Sequence, residues 1–367
     1  MPINSARKNY GVGIIVPTMN RPDFMIRQLN YYASLNYPDT IYIGDSSDDE
    51  KAAVLQKEIH KLKNFLNISY QQYPPGDGVK CIIQLLACVK EKYVTFIGDD
   101  DYQVPSALYS CADFLENNPD YETATGKSVT IRVENNQAYG KLTGIHDYPR
   151  FSIEDGTAAE RLSNHLGVHF NSIVAAVLRT QHMLKYFQDS YVVNDTAIKG
   201  EVLPCCLMII AGKSKVIDQL GLVRQIHTHN IRNADIFDQI TGPGWPESYA
   251  LIRKILVVAL IDKENISQRL AEETVKKSFW SNINNQLSVF YPQYLAIVSP
   301  SDFYNAENKT KVRTIVAAQF PFLKQIYRKF MRPMLTNKQQ LHYEVTQPSS
   351  KYYGDFQSIV KSLEHGI

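Results

Sequence analysis

The sequence has almost no excess of charge. Its 39 Lys and Arg stand against 37 Asp and Glu over 367 residues, a net charge of +2. That balance leaves no whole-chain electrostatic footprint for a nucleic-acid partner. Cysteine is scarce: Cys81, Cys88, Cys111, Cys205 and Cys206 are odd in number and form no CxxC pair. In a chain of this length they exclude a disulfide framework, argue against a zinc site and favour a reducing compartment. Long apolar runs are missing too. The strongest, such as 255–261, fall far short of the ~20 residues that span a bilayer. The opening MPINSARKNYG holds no apolar signal core, so a cytoplasmic chain is expected. The Asn-x-Ser/Thr triplets at Asn67, Asn194, Asn265 and Asn308 then read as chance matches. There is no internal repeat and no low-complexity tract.

What is present is an ordinary globular composition, 44% hydrophobic and 21% charged, long enough for two domains or one large domain with an appendage. The first half alternates strand and helix signals. Residues 11–17 (GVGIIVP) form a short run rich in β-branched residues, a buried strand. Pro22 suits the first turn of the helix that follows, where Met25, Leu29, Tyr32 and Ala33 recur at helical spacing. Strands are expected again at 40–44, 68–73 and 93–97, and helices at 52–65, 79–90 and from Pro105. Such alternation means βαβ units and a mainly parallel sheet. Ligands of open sheets sit outside the carboxyl ends of the strands. The polar segments 18–21, 45–49 and 99–101 all follow such ends and should converge on one crevice.

Asp99, Asp100 and Asp101 are three consecutive carboxylates at one of those ends. Partly desolvated, they repel one another unless a cation is present. Hard ions such as Mn²⁺ or Mg²⁺ take one or two carboxylates together with substrate phosphates, so a nucleoside diphosphate suits the place. A solvated acidic turn before the Pro105 helix is the plainer alternative.

In this order and spacing, IIVPTMNRP, IYIGDSSDD and YVTFIGDDDYQVPSAL resemble the inverting glycosyltransferases of family 2, over roughly residues 10–240. The resemblance implies a GT-A fold, α/β with a mainly parallel mixed sheet, in residues 1–240, and the remaining 241–367 form a mainly helical C-terminal region. It implies transfer of a sugar from a nucleoside-diphosphate sugar to a hydroxyl acceptor, a glycan or lipid-linked glycan. Pro17, Thr18 and Arg21 match the loop that lies against the nucleotide, and Asp45 matches an acid that holds base or ribose. Gly44 stands where a first acid is usual. Gly78 matches the glycine before the third helix, and Lys80 beside it either reaches the diphosphate or is a solvated lysine. The metal motif reads as Asp99 with Asp101, or as Asp100 with Asp101 if Gly98 replaces the first acid; Asp101 is common to both.

An inverting transfer also needs a carboxylate to deprotonate the acceptor. In the family it opens an acceptor-side helix ahead of a glycine. Counting back from Gly212 gives Glu201, with Asp195 as the other candidate. In VRQIHTHN, His227 and His229 match a segment whose histidine approaches metal or diphosphate, and Arg224 would pair with phosphate or with the acids. After the breaker cluster 242–246, helical patterns at 249–261, 267–289 and 312–331 form the C-terminal region, which completes an acceptor site or serves a homo-oligomer contact. Within 309–338, basic residues interleave with aromatics. That stretch either lies on the inner face of an anionic membrane or packs on the catalytic domain. An inactive sugar-binding module is the alternative of a different class. A sugar nucleotidyltransferase is less favoured, because VPTMNRPDF lacks its glycine-rich loop.

Overall fold

The computed structural model describes residues 11–168, 172–228, 236–290 and 340–364. The basic stretch 309–338, the helical pattern at 312–331 and His229 lie outside them.

A five-stranded sheet runs in the order β3-β2-β1-β4-β8. Its strands are β1 (Val12–Thr18), β2 (Thr40–Asp45), β3 (Asn67–Gln72), β4 (Tyr93–Phe96) and β8 (Leu178–Arg179). The first four are parallel, and only β8 is antiparallel to its neighbour β4. Central β1 is covered on both faces, with Val12, Ile14, Ile15 and Val16 fully buried, as its unbroken apolar run requires. Edge strand β3 instead alternates, turning Ile68 and Tyr70 inward.

The crossovers are α1 (Pro22–Ser34), α2 (Asp49–Leu62) and α3 (Gly78–Cys88), followed by α4 (Pro105–Asn117) after β4. Pro22 and Pro105 occupy first turns, where a missing N–H costs nothing. Asp77 caps α3 by accepting from the amides of Val79 (3.0 Å) and Lys80 (3.3 Å).

A second sheet, in the order β5-β9-β6-β7, was not expected from the sequence. It comprises β5 (Tyr102–Gln103), β6 (Tyr121–Val133), β7 (Leu142–Asp147) and β9 (Lys213–Gln225). Its long members β6 and β9 run parallel and touch at two glycines. A Cβ on Gly126 would lie 2.6 Å from Cα of Gly221 and 2.7 Å from the carbonyl oxygen of Gln219. That close approach carries β9 to the Asp99–Asp101 loop, with the Gly221 carbonyl accepting from the amide of Val104 at 2.8 Å.

Between β7 and β9 lie α5 (Ala158–Gly167), α6 (Thr180–Ser190), a π-helical turn (Ile198–Val202) and α7 (Leu203–Ala211). After β9 come α8 (Ile236–Thr241), α9 (Trp245–Glu264) and α10 (Gln268–Phe290), then α11 (Leu341–Glu344) and α12 (Tyr353–Glu364). The C-terminal region is therefore mainly helical among the described residues. It shares cores with what precedes it. Ile252, Leu256 and Leu260 of α9 and Val275 and Phe279 of α10 pack with Leu162 of α5 and Leu203 of α7. Phe356, Ile359 and Leu363 of α12 join the core that contains Tyr31 of α1 and Val133 of β6. Among the described residues, no helix is long and apolar enough to cross a membrane.

The contact between β6 and β9 gives a direct test. Gly126→Ala or Gly221→Ala should lower the denaturation midpoint by the equivalent of about 1–3 kcal/mol, the usual cost of overpacking a tight site. An unchanged midpoint for both would contradict the close approach.

Candidate active site

The loops after β1, β2 and β4 do converge. Asn20 adopts φ 58°, a left-handed conformation that asparagine tolerates. Its amide donates to Ser47 Oγ at 2.7 Å, and its Oδ1 accepts from the Asp48 amide at 2.9 Å, tying the first loop to the second. The loop after β4 is held by α1. Gln28 Nε2 donates to the carbonyls of Gly98 (2.8 Å) and Asp101 (2.7 Å). The fully buried Arg27 donates to the carbonyls of Asp100 (2.8 Å) and Ala138 and to Gln225 Oε1.

The three carboxylates of that loop are buried, and each has its own partners. Asp99 accepts from Thr18 Oγ1 (2.7 Å) and from Arg21 Nε and Nη2. Asp100 accepts from Arg21 Nη1 (3.1 Å) and is 2.9 Å from His227 Nε2. Asp101 accepts from the Gln225 amide (2.9 Å) and Arg224 Nε (3.2 Å). Burial, aided by the neighbouring Asp100, pushes Asp99 up to about 6 and Asp101 up to about 7 against the pull of Arg21 and Arg224. For Asp100, burial is outweighed by His227 and Arg21, and it sits below the ordinary range.

These loops open on a cavity of about 610 Å³. Of the residues singled out from sequence, Pro17, Thr18, Arg21, Asp101, Arg224 and Glu201 line it. Glu201 belongs to the π-helical turn, a widened turn that often marks functional positions. Others are placed differently. Asp99 and Asp100 are buried at the cavity's end without lining it. His227 stacks on Phe24, with ring centroids 5.0 Å apart, and turns Nε2 to Asp100. Asp45 is buried, accepting from the Ser47 amide and Tyr70 Oη, both at 2.8 Å. Asp195 Oδ1 accepts from the Ile198 amide at 2.9 Å at the start of the π-turn. Lys80 is exposed on the first turn of α3.

The two glycines that stand where acids are usual have a steric reason. A Cβ on Gly44 would meet Cys81 Sγ and lie 2.9 Å from Leu85 Cδ1 on α3, and one on Gly98 would lie 2.8 Å from Asp100 Oδ1.

Residues that sequence reasoning missed complete the place. Tyr148 and Arg150 line the cavity. Lys199, on the π-turn, pairs with the α3 cap Asp77 at 2.6 Å and lies 4.7 Å from the Tyr191 ring centroid, joining the two walls. Burial raises the Asp77 carboxyl, but the hydrogen bonds from Lys199, Tyr191 and the Lys80 amide together with the Lys199 charge outweigh it and hold the group below its ordinary value. None of these sits in a recognisable motif.

No three His, Cys, Asp or Glu side chains among the described residues come together to hold a metal ion. The described residues therefore build no complete metal cage by themselves. One of the two cavity-lining carboxylates, whose ionised form is disfavoured by burial, fits an open site in which substrate phosphates would supply further oxygens. Asp101 is that carboxylate.

No protein-family model matches the chain. A stretch of 102 residues is 34% identical to the GalNAc(5)-diNAcBac-PP-undecaprenol beta-1,3-glucosyltransferase of Campylobacter jejuni, covering 26% of this chain and 32% of the relative. The chain thus matches about a third of that curated relative's length. The structure of S. aureus TarS 1-349 in complex with UDP-GlcNAc superposes with a TM-score of 0.50 at 15% identity, covering 79% of this chain and 76% of that one. A second structure of S. aureus TarS 1-349 gives a TM-score of 0.49 over 79% and 75% of the two chains, also at 15% identity. The likeness is one of fold: the α/β architecture with a mainly parallel sheet, implied by the family resemblance, and the helical C-terminal region, read from the helical patterns after residue 241, are those found.

Arg27 is the keystone in energetic terms. Arg27→Met leaves three acceptors without their donor, each worth about 1–3 kcal/mol when buried, so chemical denaturation should show a loss on the order of 3 kcal/mol or more. Lys80→Met, on the exposed turn, should stay within about 0.5 kcal/mol of wild type. Similar midpoints for the two variants would refute the assignment.

Proposed function

We propose that this protein is an inverting glycosyltransferase that moves a sugar from a nucleoside-diphosphate sugar to a hydroxyl of a glycan or lipid-linked glycan. The observation that carries the reading is the cavity itself. It is lined at once by the strand-end loops, with Arg21, Asp101 and Arg224, and by a carboxylate on the facing helical wall, Glu201. The curated relative, a glucosyltransferase by name with a lipid-linked glycan in that name, and the fold shared with a protein solved with UDP-GlcNAc support it.

In this reading the diphosphate lies against Thr18, Arg21 and Arg224, with Asp101 as the protein ligand for Mn²⁺ or Mg²⁺. When bound, such an ion offsets charge on the departing diphosphate. Arg21 and Arg224, already fixed by the acids, present their remaining N–H groups without reorganisation. Glu201 takes the proton of the acceptor hydroxyl on its carboxylate as that oxygen bonds to the anomeric carbon and the bond to the phosphate oxygen breaks. Asp195 serves the turn that carries Glu201 by capping the Ile198 amide. Helices α9 and α10 pack behind α7 and so buttress the acceptor wall.

Two experiments bear on this. Glu201→Gln keeps shape but cannot accept a proton. Transfer from a panel of nucleoside-diphosphate sugars should fall roughly 10²- to 10⁴-fold with nucleotide affinity little changed, while Asp195→Asn retains most activity. The reverse pattern would exchange the two roles, and activity surviving in both variants would remove the inverting mechanism. Asp101→Asn, which keeps an acceptor for the Gln225 amide, should abolish the Mn²⁺- or Mg²⁺-dependent part of nucleoside-diphosphate binding seen by calorimetry. Cation-dependent binding at the wild-type level would rule out Asp101 as the ligand.

A further inference from the structure

We propose that Arg150, braced by Tyr148, is a phosphate-binding residue of this cavity. The inference rests on the functional reading above and adds to it a subsite that the sequence motifs did not contain. Arg150 follows β7 by way of Tyr148 and Pro149, and its side chain lines the cavity beside Arg224. The other two cavity arginines are committed to the acids: Arg21 to Asp99 and Asp100, Arg224 to Asp101. Arg150 forms no ion pair among the described residues. Its Nη1 donates to the carbonyl of Ser172, and its Nε is buried with no hydrogen-bond partner.

The guanidinium is nevertheless held in place. The Tyr148 ring lies close to both arginines, with its centroid 5.1 Å from Cζ of Arg150 and 5.2 Å from Cζ of Arg224. Tyr148 Oη also accepts from Arg224 Nη1 at 3.1 Å. Two guanidinium groups near one aromatic ring are thus fixed before any ligand arrives, which reduces the entropy lost on binding. Arg150 is half-buried with its Nε out of reach of water, and a partly desolvated cation without a direct ion pair is costly in the free protein. Burial, with Arg224 nearby, lowers the Arg150 pKa from its ordinary value against the opposing pull of Tyr148 and the more weakly felt Asp101. An anion brought by the substrate removes that cost. The planar fork of arginine matches phosphate oxygens, and a phosphate can span Arg150 and Arg224 together. Two sources supply such a group: the diphosphate of the sugar nucleotide, or a phosphate carried by the acceptor.

The test uses the full chain, with wild type, Arg150→Gln and Arg150→Lys compared by calorimetry, and circular dichroism melting as a check of folding. Inorganic pyrophosphate is the first probe, with and without Mg²⁺, because it reports an anion site whatever the reaction is. Wild type should bind it, and Arg150→Gln should weaken binding about tenfold or more, the ordinary worth of a charge-assisted contact. Arg150→Lys should recover part of the loss, as a point charge in place of a fork, and it stands in if the Gln variant does not fold. UDP, GDP, CDP and dTDP are then measured beside their nucleosides. A loss confined to the diphosphates assigns the sugar-nucleotide diphosphate as the source. Unchanged nucleotide affinity with a raised KM for a phosphate-bearing acceptor, and none for its dephosphorylated form, assigns the acceptor. If the folded variants bind pyrophosphate and every nucleotide as wild type does, or wild type binds no pyrophosphate, the proposal is overturned. Loss of pyrophosphate binding in a protein that transfers no sugar would retain the anion site and remove only the glycosyltransferase reading.

Discussion

Three adjacent carboxylates buried at the end of one strand constrain everything around them. Asp99, Asp100 and Asp101 are nearly inaccessible to water, so each needs cations or donors supplied by other elements. Thr18 comes from the end of β1 and Arg21 from the loop after it, and Arg224, Gln225 and His227 from the end of β9 and beyond. Removing one partner of such a set costs about 3–5 kcal/mol, because a charge is left buried and uncompensated. The register of β1 beside β4 and the path of β9 across β6 therefore serve the same end. They deliver two arginines, a histidine and a hydroxyl to one short turn. Arg27 and Gln28 on α1 hold that turn's carbonyl groups, so helix and site cannot move independently.

The cavity is built from two walls of different character. The wall of strand ends is rigid, tied by Asn20 to Ser47 and Asp48 and by the buried Asp45 to Tyr70. The facing wall is a π-helical turn leading into α7, propped by a helical core that continues into α9 and α10. The pair Lys199–Asp77 joins the two walls beside the ring of Tyr191. Glu201 thus reaches the cavity from an element whose position depends on the C-terminal helices, because Ile198 and Leu203 on either side of it share their core.

The first half of the fold was legible because its signals are local. Runs such as GVGIIVP and YVTFI are short, β-branched and bounded by breakers, and among the helices between them α1 opens on a proline and α3 on the Asp77 cap. The observed strands β1 to β4 fall within a residue or two of the expected spans. The second sheet was not legible. Strands β6 and β9 are long and mixed in polarity, and their pairing is decided by contact between Gly126 and Gly221, some ninety residues apart. Gly44 and Gly98 looked like departures from a motif, whereas in the fold each is the residue that leaves room for a neighbour.

The sequence by itself determined the alternation of elements, the three strand-end loops and the clustering of Asp99–Asp101 with Arg21. Periodicity and turn chemistry act over a few residues and survive without tertiary context. Only the tertiary structure decided which of those side chains face the cavity. Asp101 lines it while Asp99 and Asp100 do not; His227 turns to Asp100; Asp45 is bound within its own loop; Lys80 is solvated while Lys199 bridges the walls. Tyr148 and Arg150, which no motif marks, were brought beside Arg224 by the pairing of β6 with both β7 and β9. The direction of a side chain and its share of a buried charge depend on residues a hundred positions away, and no local pattern encodes them.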